Sequence, residues 1–219
     1  MKLVVSLWRE NPDWILNVPD YWDITIYVKD WRWNLEYIGR LRTLGEVIIL
    51  PNVGRESHTW LYHMINNYDS LDDLTLFVQG HPFDHCPHMM RVLFCRNLLE
   101  IKKLAMTQWE HNRYVSRADL GYVGLGISWP VHLHSHTRTK WEKKECEKIP
   151  MVWRTAFGDS KLPEVFNAVY GAQFAISREM IRSLPLDLYQ RLMNLHDGSK
   201  DNYIVPWVLE KIMPEMYLH

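Results

Sequence analysis

Short apolar segments alternate with a helical pattern along the first half of the chain. Four segments have the length and β-branched composition of strands: residues 3–8, 23–29, 46–51 and 74–80. Between the third and the fourth, residues 57–68 carry apolar side chains at helical spacing. Strands separated by helices are typical of βαβ units, so the pattern predicts an α/β protein with a mixed, mostly parallel sheet flanked by helices.

The second half of the chain begins with longer polar and amphipathic segments. The apolar spacing predicts one long helix over residues 89–109. The charged run 140–148 is predicted to be a solvent-exposed loop or a short helix. Residues 168–177 (AVYGAQFAIS) are predicted to form a single strand, and Ser177 is a candidate N-cap for the turn that follows.

The end of the chain is predicted to be helical. One helix is expected over residues 186–195, and a last one over residues 202–213 with Pro206 in its first turn. No internal repeat, low-complexity tract or linker interrupts the pattern. The sequence therefore predicts a single domain over residues 1–219.

Composition and charge narrow the class of protein. Hydrophobic residues make up 47% of the 219 residues and charged residues 23%, the balance of a globular protein with a sizeable core. The net charge of −1 gives no electrostatic case for nucleic acid or an anionic membrane as partner. The longest apolar runs are far shorter than the about 20 residues of a membrane span. No signal peptide is visible, so a cytoplasmic location is expected.

Cysteine and aromatic residues add two further expectations. The three cysteines show no CxxC spacing, which fits a reducing compartment and argues against a disulfide scaffold or a structural zinc site. The chain also has 11 tryptophans and 11 tyrosines. These residues either fill the core or form flat platforms on which sugars or bases stack, and the composition alone leaves both interpretations open.

One polar cluster directly follows the third predicted strand. Ligands of open α/β sheets bind at the carboxyl ends of the strands, and the segment PNVGRE (51–56) lies there. Asn52 and Gly54 would bring the backbone close to a ligand, and Arg55 offers a planar fork suited to phosphate. The amino end of the following helix adds free N–H groups. Alternatively, Gly54 only makes a turn and Arg55 pairs with a neighbouring carboxylate.

A second polar cluster follows the fourth predicted strand. The segment QGHPFDH places Gln79, His81, Asp84 and His85 within one loop. A carboxylate beside imidazoles can hold a divalent ion of the Mn²⁺ type or relay protons. Alternatively, Pro82 and Asp84 are ordinary turn residues. The position at the end of a strand favours the functional interpretation.

A third set of histidines lies in the segment HLHSH. His132, His134 and His136 share one face if the segment is a strand, and three imidazoles on one face can bind a metal. An exposed strand face explains them equally well, because no further ligand lies at matching spacing. The common signatures of α/β-hydrolases, zinc metalloproteases and P-loop enzymes are missing from the sequence.

A late carboxylate completes the candidates. Glu210 lies on the last predicted helix, on the face that also carries Pro206 and Trp207. A carboxylate on a largely apolar helix can act as a general base in a cleft. It can equally be a surface residue that pairs with Lys211 or with solvent.

Three stretches of the chain resemble one protein family. They are VVSLWRENPDWI, LPNVGRESHTWLYHMINNYDSLDDLTLFVQGHPFDH and FNAVYGAQFAISREMIRSLPLDLYQRL. The family occurs in fungi, bacteria and large viruses and is known as a domain of unknown function. The likeness is most specific where NxGRExxTxL and FxQGxPFDH occur in order, and it weakens across residues 100–160.

A more distant resemblance is to glycosyltransferases of the GT-A type. It rests on a strand, an NxGR segment before a helix, a strand that ends in an acidic loop, and a later GAQFAIS strand. The resemblance implies a single Rossmann-like GT-A domain that binds a nucleotide sugar, with Asn52, Gly54, Arg55 and Gln79 at the donor. The sequence departs from the GT-A pattern after the fourth strand, where no Asp-x-Asp metal motif occurs.

The resemblance also implies a reaction. A sugar would pass from a nucleotide-diphosphate donor to a glycan hydroxyl, with inversion at the anomeric carbon. Gly171 and Gln173 would border the acceptor, Glu210 or Asp84 would be the base, and Asp84 with His85 would hold Mn²⁺ or Mg²⁺ if a metal takes part. The alternatives are a metal-assisted hydrolase that uses the HPFDH loop together with the HLHSH face, and a carbohydrate-binding module without catalysis.

Overall fold

The computed structural model describes most of the chain and contains nine strands and eight α-helices in its described part. The described residues are 1–29, 35–108, 116–117, 121–126, 128–133, 140–199 and 202–217. The strands are β1 (Lys2–Leu7), β2 (Asp23–Val28), β3 (Glu46–Ile49), β4 (Leu74–Gln79), β5 (Ser116–Arg117), β6 (Tyr122–Gly124), β7 (Ser128–His132), β8 (Val165–Val169) and β9 (Phe174–Ser177). The helices are α1 (Leu35–Arg42), α2 (Arg55–Asn66), α3 (Met89–Leu93), α4 (Leu98–Gln108), α5 (Lys140–Phe157), α6 (Arg178–Arg182), α7 (Leu186–Asn194) and α8 (Val205–Met216).

A seven-stranded mixed sheet forms the centre of the molecule. Its strand order is β3-β2-β1-β4-β9-β6-β5, and the first four strands are mutually parallel. β9 runs antiparallel to β4 on one side and to β6 on the other. β6 therefore has the direction of β1 to β4, and most strands of the sheet point the same way. The predicted α/β class with a mostly parallel mixed sheet is confirmed.

The core lies on both faces of this sheet. Successive residues of a strand point to opposite faces, so Val4 packs in one layer whereas Leu3 and Val5 pack in the other. The first layer contains α2, α5, α7 and α8, and the second contains α1, α3 and α4. A separate antiparallel pair, β7 and β8, lies against α8. None of the helices in the described ranges is long and apolar enough to span a membrane.

The predicted single helix over residues 89–109 is wrong. α3 ends at Leu93 and α4 starts at Leu98. The reason is a capping arrangement at Asn97, whose side chain accepts a hydrogen bond from the Glu100 N–H at 2.9 Å. The Glu100 carboxylate in turn accepts the Arg96 N–H at 2.8 Å. Such reciprocal bonds satisfy the free N–H groups of a helix start, so a new helix begins where the apolar spacing alone continued the old one.

The predicted single strand over residues 168–177 is also wrong, since two strands of different sheets occupy this segment. β8 ends at Val169 and β9 begins at Phe174. Between them Gly171 (φ 97°) and Ala172 (φ 51°) adopt left-handed conformations, which break an extended chain. The predicted N-cap is confirmed, because the Ser177 hydroxyl accepts the Met180 N–H at 3.2 Å.

The charged run 140–148 differs from its prediction as well. It forms the first half of α5, an 18-residue helix, and not an exposed loop or a short helix. Glu145 within it is buried and pairs with Lys211 of α8 at 3.0 Å, which ties the two helices together. At the chain end, α8 contains Pro206 in its first turn as predicted.

Candidate functional site

The candidate site lies at the edge of the sheet where the parallel strands end. The order of the strands along the chain reverses between β1 and β4, and a crevice forms outside the carboxyl ends of strands at such a point. Because β9 is antiparallel to β4, it starts at this edge, and the turn of Gly171 and Ala172 arrives beside the loop that follows β4. The segments after β3 and β4 and the start of β9 therefore meet here.

Lys29, which directly follows β2, holds the loop that connects β3 to α2. Its side chain is buried, and its ammonium donates hydrogen bonds to the backbone oxygens of Val53 (2.5 Å) and Arg55 (2.7 Å). Burial lowers the pKa of Lys29 to about 7, and the nearby Glu56 carboxylate opposes this shift in part. The shape of the PNVGR loop therefore depends on a residue from another strand.

The helix start at Arg55 is strained. Gly54 (φ 63°) and Arg55 (φ 48°) are consecutive left-handed residues, and α2 begins at the second of them. A left-handed conformation costs a residue with a Cβ roughly 1–2 kcal/mol. Arg55 and Ala172 are the two non-glycine residues with positive φ in the described part of the chain, and both lie at this edge. Such strain clusters at functional sites, where the surrounding structure enforces it.

A buried cluster of polar side chains, formed by Ser57, His58 and His196, packs against the strained turn. A Cβ on Gly54 would lie 2.6 Å from Nδ1 of His196, so Gly54 is needed for the packing of this histidine. His196 Nε2 shares a hydrogen bond of 3.1 Å with the Ser57 hydroxyl, and the ring of His58 packs edge-to-face against His196. The Nδ1 atoms of His58 and His196 have no hydrogen-bond partner among the described residues.

Both histidines of this cluster are held neutral. Burial lowers the pKa of His58 to about 4, and the Lys29 charge adds to the effect. Burial, together with His58 and Lys29, lowers the pKa of His196 to about 3. The desolvated site disfavours the imidazolium form, so the cluster adds no positive charge at neutral pH.

The Arg55 side chain reaches over α8. Its guanidinium lies 4.7 Å from the ring centroid of Trp207, and its Nε lies 3.3 Å from the Glu56 carboxylate. The pairing with a neighbouring carboxylate, one of the two alternatives from the sequence, is therefore present. The Arg55 side chain nevertheless remains 51% exposed, so it is accessible to a ligand. Asn52, in the same loop, is exposed.

Glu210 lies one helical turn after Trp207 and faces the turn before β9. Its carboxylate accepts the Gly171 N–H at 2.5 Å, and the side chain is partly buried. Burial raises the pKa of Glu210, whereas the Gly171 N–H and the charges of Lys211 and Arg55 oppose that shift. A carboxyl group whose pKa is raised by burial is a candidate for proton exchange.

Gln173 fastens the start of β9 to the loop after β4. Its amide nitrogen donates to the Pro82 backbone oxygen at 3.1 Å, and its amide oxygen accepts the Gln79 N–H at 3.4 Å. The side chain is 1% exposed. Gln173 and Gln79 therefore lie together at this edge, and the Gln173 amide is used in hydrogen bonds within the protein.

Two side chains of the HPFDH loop, His81 and Asp84, are exposed. His81 Nδ1 lies 3.3 Å from the Asp84 carboxylate, and the Asp84 side chain is 71% exposed. His85 packs against Gly171, since a Cβ built on that glycine would lie 2.5 Å from the Cβ of His85. No group of three or more His, Cys, Asp or Glu side chains with metal-binding geometry occurs among the described residues. Metal binding by Asp84 and His85 stays a prediction.

The HLHSH histidines fall largely outside the described residues. His132 ends β7 and is exposed, and it lies against α5 and not at the carboxyl edge of the large sheet. His134 and His136 belong to the undescribed ranges. The alternative of a hydrolase that combines this segment with the HPFDH loop therefore gains no geometric support from His132.

Sequence reasoning missed three residues of this edge: Lys29, His196 and Trp207. Lys29 ends the alternating strand pattern DITIYVK. A charged residue directly after a buried strand was the signal that could have indicated its role at this edge. His196 follows α7 and is far from the loop in sequence, so no local pattern connects it to Gly54.

Comparison with protein families identifies the class to which this α/β chain belongs. The chain is a member of the family described as a protein of unknown function, DUF3431, whose model matches residues 3–219. The predicted membership of such a family is confirmed. A search among curated proteins finds no match.

We expect Gly171→Ala to destabilise the protein more than Gly158→Ala does. Both glycines are left-handed, and alanine costs about 1–2 kcal/mol in that conformation. At Gly158 no atom lies within 4 Å of the added Cβ, whereas at Gly171 the Cβ would collide with His85. The collision should add about 1–3 kcal/mol to the loss in the free energy of unfolding. Urea denaturation measures both variants, and equal losses would contradict the close packing at Gly171.

We also expect the buried histidines to make the protein acid-sensitive. Their pKa values lie below the ordinary 6.5, so their contribution to stability is complete above pH 6.5 and is lost as the pH falls toward 4. Each histidine contributes a slope of about 1.4 kcal/mol per pH unit in this window. Lys29 is charged in both folded and unfolded states there, so it adds little to the slope.

The matched variant for this pH dependence is His58→Gln. Urea denaturation at several pH values between 6.5 and 4.5 gives the free energy of unfolding of both proteins. The variant should lose stability less steeply than the wild type, because one titrating group is gone. Parallel slopes for the two proteins would show that His58 is not held neutral by the fold.

Proposed function

We propose that the protein is a glycosyltransferase that moves a sugar from a nucleotide-diphosphate donor to a glycan hydroxyl. The observation that carries the proposal is that Arg55 and Glu210 meet the same part of α8, since the Arg55 guanidinium lies 4.7 Å from the ring centroid of Trp207, one helical turn before Glu210. Arg55 is a half-exposed cation at a helix start, and Glu210 is a partly buried carboxyl with a raised pKa that Arg55 influences. Transfer from a diphosphate requires both an anion-binding group and a base.

The donor side of the proposal rests on the loop between β3 and α2. The strained turn at Gly54 and Arg55 opens a 12-residue helix, whose amino end favours negative charge. Arg55 adds donors in a planar fork that matches phosphate oxygens. Asn52 and Gln79 border the same edge. These groups would bind the diphosphate and stabilise the charge that develops on it as it leaves.

The acceptor side rests on Glu210. As the base, it would take the proton of the acceptor hydroxyl while the hydroxyl oxygen forms a bond to the anomeric carbon. The bond from that carbon to the diphosphate oxygen breaks, and the nucleoside diphosphate leaves with the electron pair. One base on one side of the sugar suits a single displacement with inversion. Asp84, the other candidate base, is exposed and lies beside His81.

A divalent ion fits this proposal only with help from the donor. Asp84 and His85 lie on the loop beside Gly171, and two side chains leave most positions of a Mg²⁺ or Mn²⁺ ion open. Such ions are commonly held by one or two carboxylates together with substrate phosphates. The ion would neutralise diphosphate charge there, and Arg55 provides part of the same effect without it.

A thermal-shift screen tests the class of function. The purified protein is heated with UDP-sugars and GDP-sugars, each with and without Mn²⁺. A ligand at about 100 times its Kd stabilises the folded state by about 2.7 kcal/mol, which is a readily measured shift in Tm. Stabilisation by a nucleotide sugar supports the transferase. Stabilisation by the metal alone points to the hydrolase, and the absence of both effects points to a carbohydrate-binding module.

We expect Arg55→Ala to weaken nucleotide-sugar binding about ten- to hundredfold. The change removes charge-assisted hydrogen bonds to the diphosphate, each worth about 1.5–3 kcal/mol. Calorimetric titration with the nucleotide sugar found in the screen measures the loss. Arg154→Ala, which removes an exposed arginine of α5, is the matched control and should bind as the wild type does. Unchanged affinity of Arg55→Ala would remove Arg55 from the donor site.

We expect Glu210→Gln to lower kcat by about 10²–10⁴-fold and to leave donor affinity nearly unchanged. The amide can still accept the Gly171 N–H, but it cannot take a proton from the acceptor. Because burial raises the pKa of Glu210, wild-type kcat should rise with pH through a pKa above that of an ordinary glutamate. Glu36→Gln, which changes an exposed glutamate of α1, is the control. A full kcat for Glu210→Gln would exclude Glu210 as the base.

A further inference from the structure

A cavity of about 210 Å³ is lined in part by Tyr170 and Lys211, the chain neighbours of Gly171 and Glu210. β7 forms one wall, and α5 with the Lys211 side of α8 forms the other. The lining residues that matter here are Trp129, His132, Glu142, Glu145, Tyr170 and Lys211. None of them belongs to the donor or base groups assigned above.

The floor of the cavity carries fixed polar groups. Lys211 and Glu145 form an ion pair of 3.0 Å, with side-chain exposures of 8% and 5%. The Lys211 ammonium also lies 5.4 Å from the ring centroid of Tyr170. Buried charges persist only when they are paired and hydrogen-bonded, so these groups are held in position before any ligand arrives.

The mouth of the cavity carries a flat apolar surface. Trp129 of β7 is 57% exposed, although an indole buries a large apolar area when it finds a partner. Glu142 of α5 and His132 at the end of β7 add polar groups around the indole. An aromatic face beside carboxylates and an ammonium matches a sugar ring, which has apolar C–H faces and a rim of hydroxyl groups.

The size and charge of the cavity restrict the ligand further. At about 30 Å³ for each water, 210 Å³ holds about seven waters, roughly the volume of one sugar ring. Pockets for larger organic ligands measure about 300–1,000 Å³. Among the described lining residues, two carboxylates, Glu142 and Glu145, accompany the one ammonium of Lys211, so an anionic ligand such as a phosphate is disfavoured.

Tyr170 connects the cavity to the proposed base. It precedes Gly171, whose N–H binds the Glu210 carboxylate, and Lys211 directly follows Glu210 on α8. Tyr170 lines the cavity, and the carboxylates of Glu145 and Glu210 both add to the effect of burial in raising its pKa. The cavity therefore adjoins the two chain segments that carry Gly171 and Glu210.

We infer that this cavity binds one neutral sugar ring, stacked on Trp129 and hydrogen-bonded to the polar groups around Lys211 and Glu145. Its role as the subsite that presents the acceptor to Glu210 rests on the proposed transferase function. Sugar binding itself requires neither the donor nor Arg55.

Ligand-detected saturation-transfer NMR on the full chain tests the inference. The probes are four neutral disaccharides, namely cellobiose, maltose, lactose and chitobiose, at millimolar concentration and without nucleotide. At least one should receive saturation from the protein, and Trp129→Ala should weaken its affinity at least about tenfold. Phe94→Ala is the matched control, because Phe94 is an exposed aromatic residue of similar size, 63% exposed and outside this cavity.

The outcomes separate the inference from the proposed function. Absence of binding for all four disaccharides, or equal affinity of wild type and Trp129→Ala, overturns the inference. Disaccharide binding that Arg55→Ala leaves unchanged supports it. If the protein binds disaccharide through Trp129 but no nucleotide sugar stabilises it, the cavity assignment stands and the transferase proposal fails.

Discussion

The antiparallel pairing of β9 with β4 is the constraint on which the candidate site depends. Parallel strands all end at one edge, and a further parallel strand would have brought only another carboxyl end there. β9 instead starts at that edge, so the left-handed turn of Gly171 and Ala172 arrives beside the loop that follows β4. Gln173 fastens the two segments through the Pro82 oxygen and the Gln79 N–H. The Gly171 N–H then fixes the Glu210 carboxylate of α8.

A second set of contacts fixes the loop between β3 and α2, and these contacts lower the stability of the fold. The strained Arg55 backbone, the buried Lys29 and two neutral histidines without partners for Nδ1 all lie around one loop. Each is unfavourable alone, because strain and buried polar atoms without partners both destabilise a fold. Their concentration at one loop, away from the apolar layers around the sheet, is what a functional constraint on the Arg55 position would produce.

The sequence allowed much of the fold to be predicted and less of the site. The positions of β1 to β4 and of α2 follow from alternating and helical periodicity. The N-cap role of Ser177 follows from its place before a helix. The split of residues 168–177 could not be predicted, because it depends on a left-handed conformation that Ala172 does not favour by itself. His196 was equally hidden, since its contact with Gly54 joins the end of α7 to the start of α2. Periodicity reports which face is buried, and it contains no information about such long-range polar contacts.

The charge of Arg55 affects the pKa of Glu210, and this interaction links donor binding to the base in the proposed reaction. Arg55 lowers the pKa of Glu210, against the larger effect of burial, so part of the ionised character of Glu210 depends on the positive charge of Arg55. A diphosphate bound to Arg55 would cancel that positive charge and add negative charge near the crevice. The pKa of Glu210 would then rise further, and the carboxylate would become a stronger base. Because this change comes from donor binding, the base would gain strength only when there is a sugar to transfer.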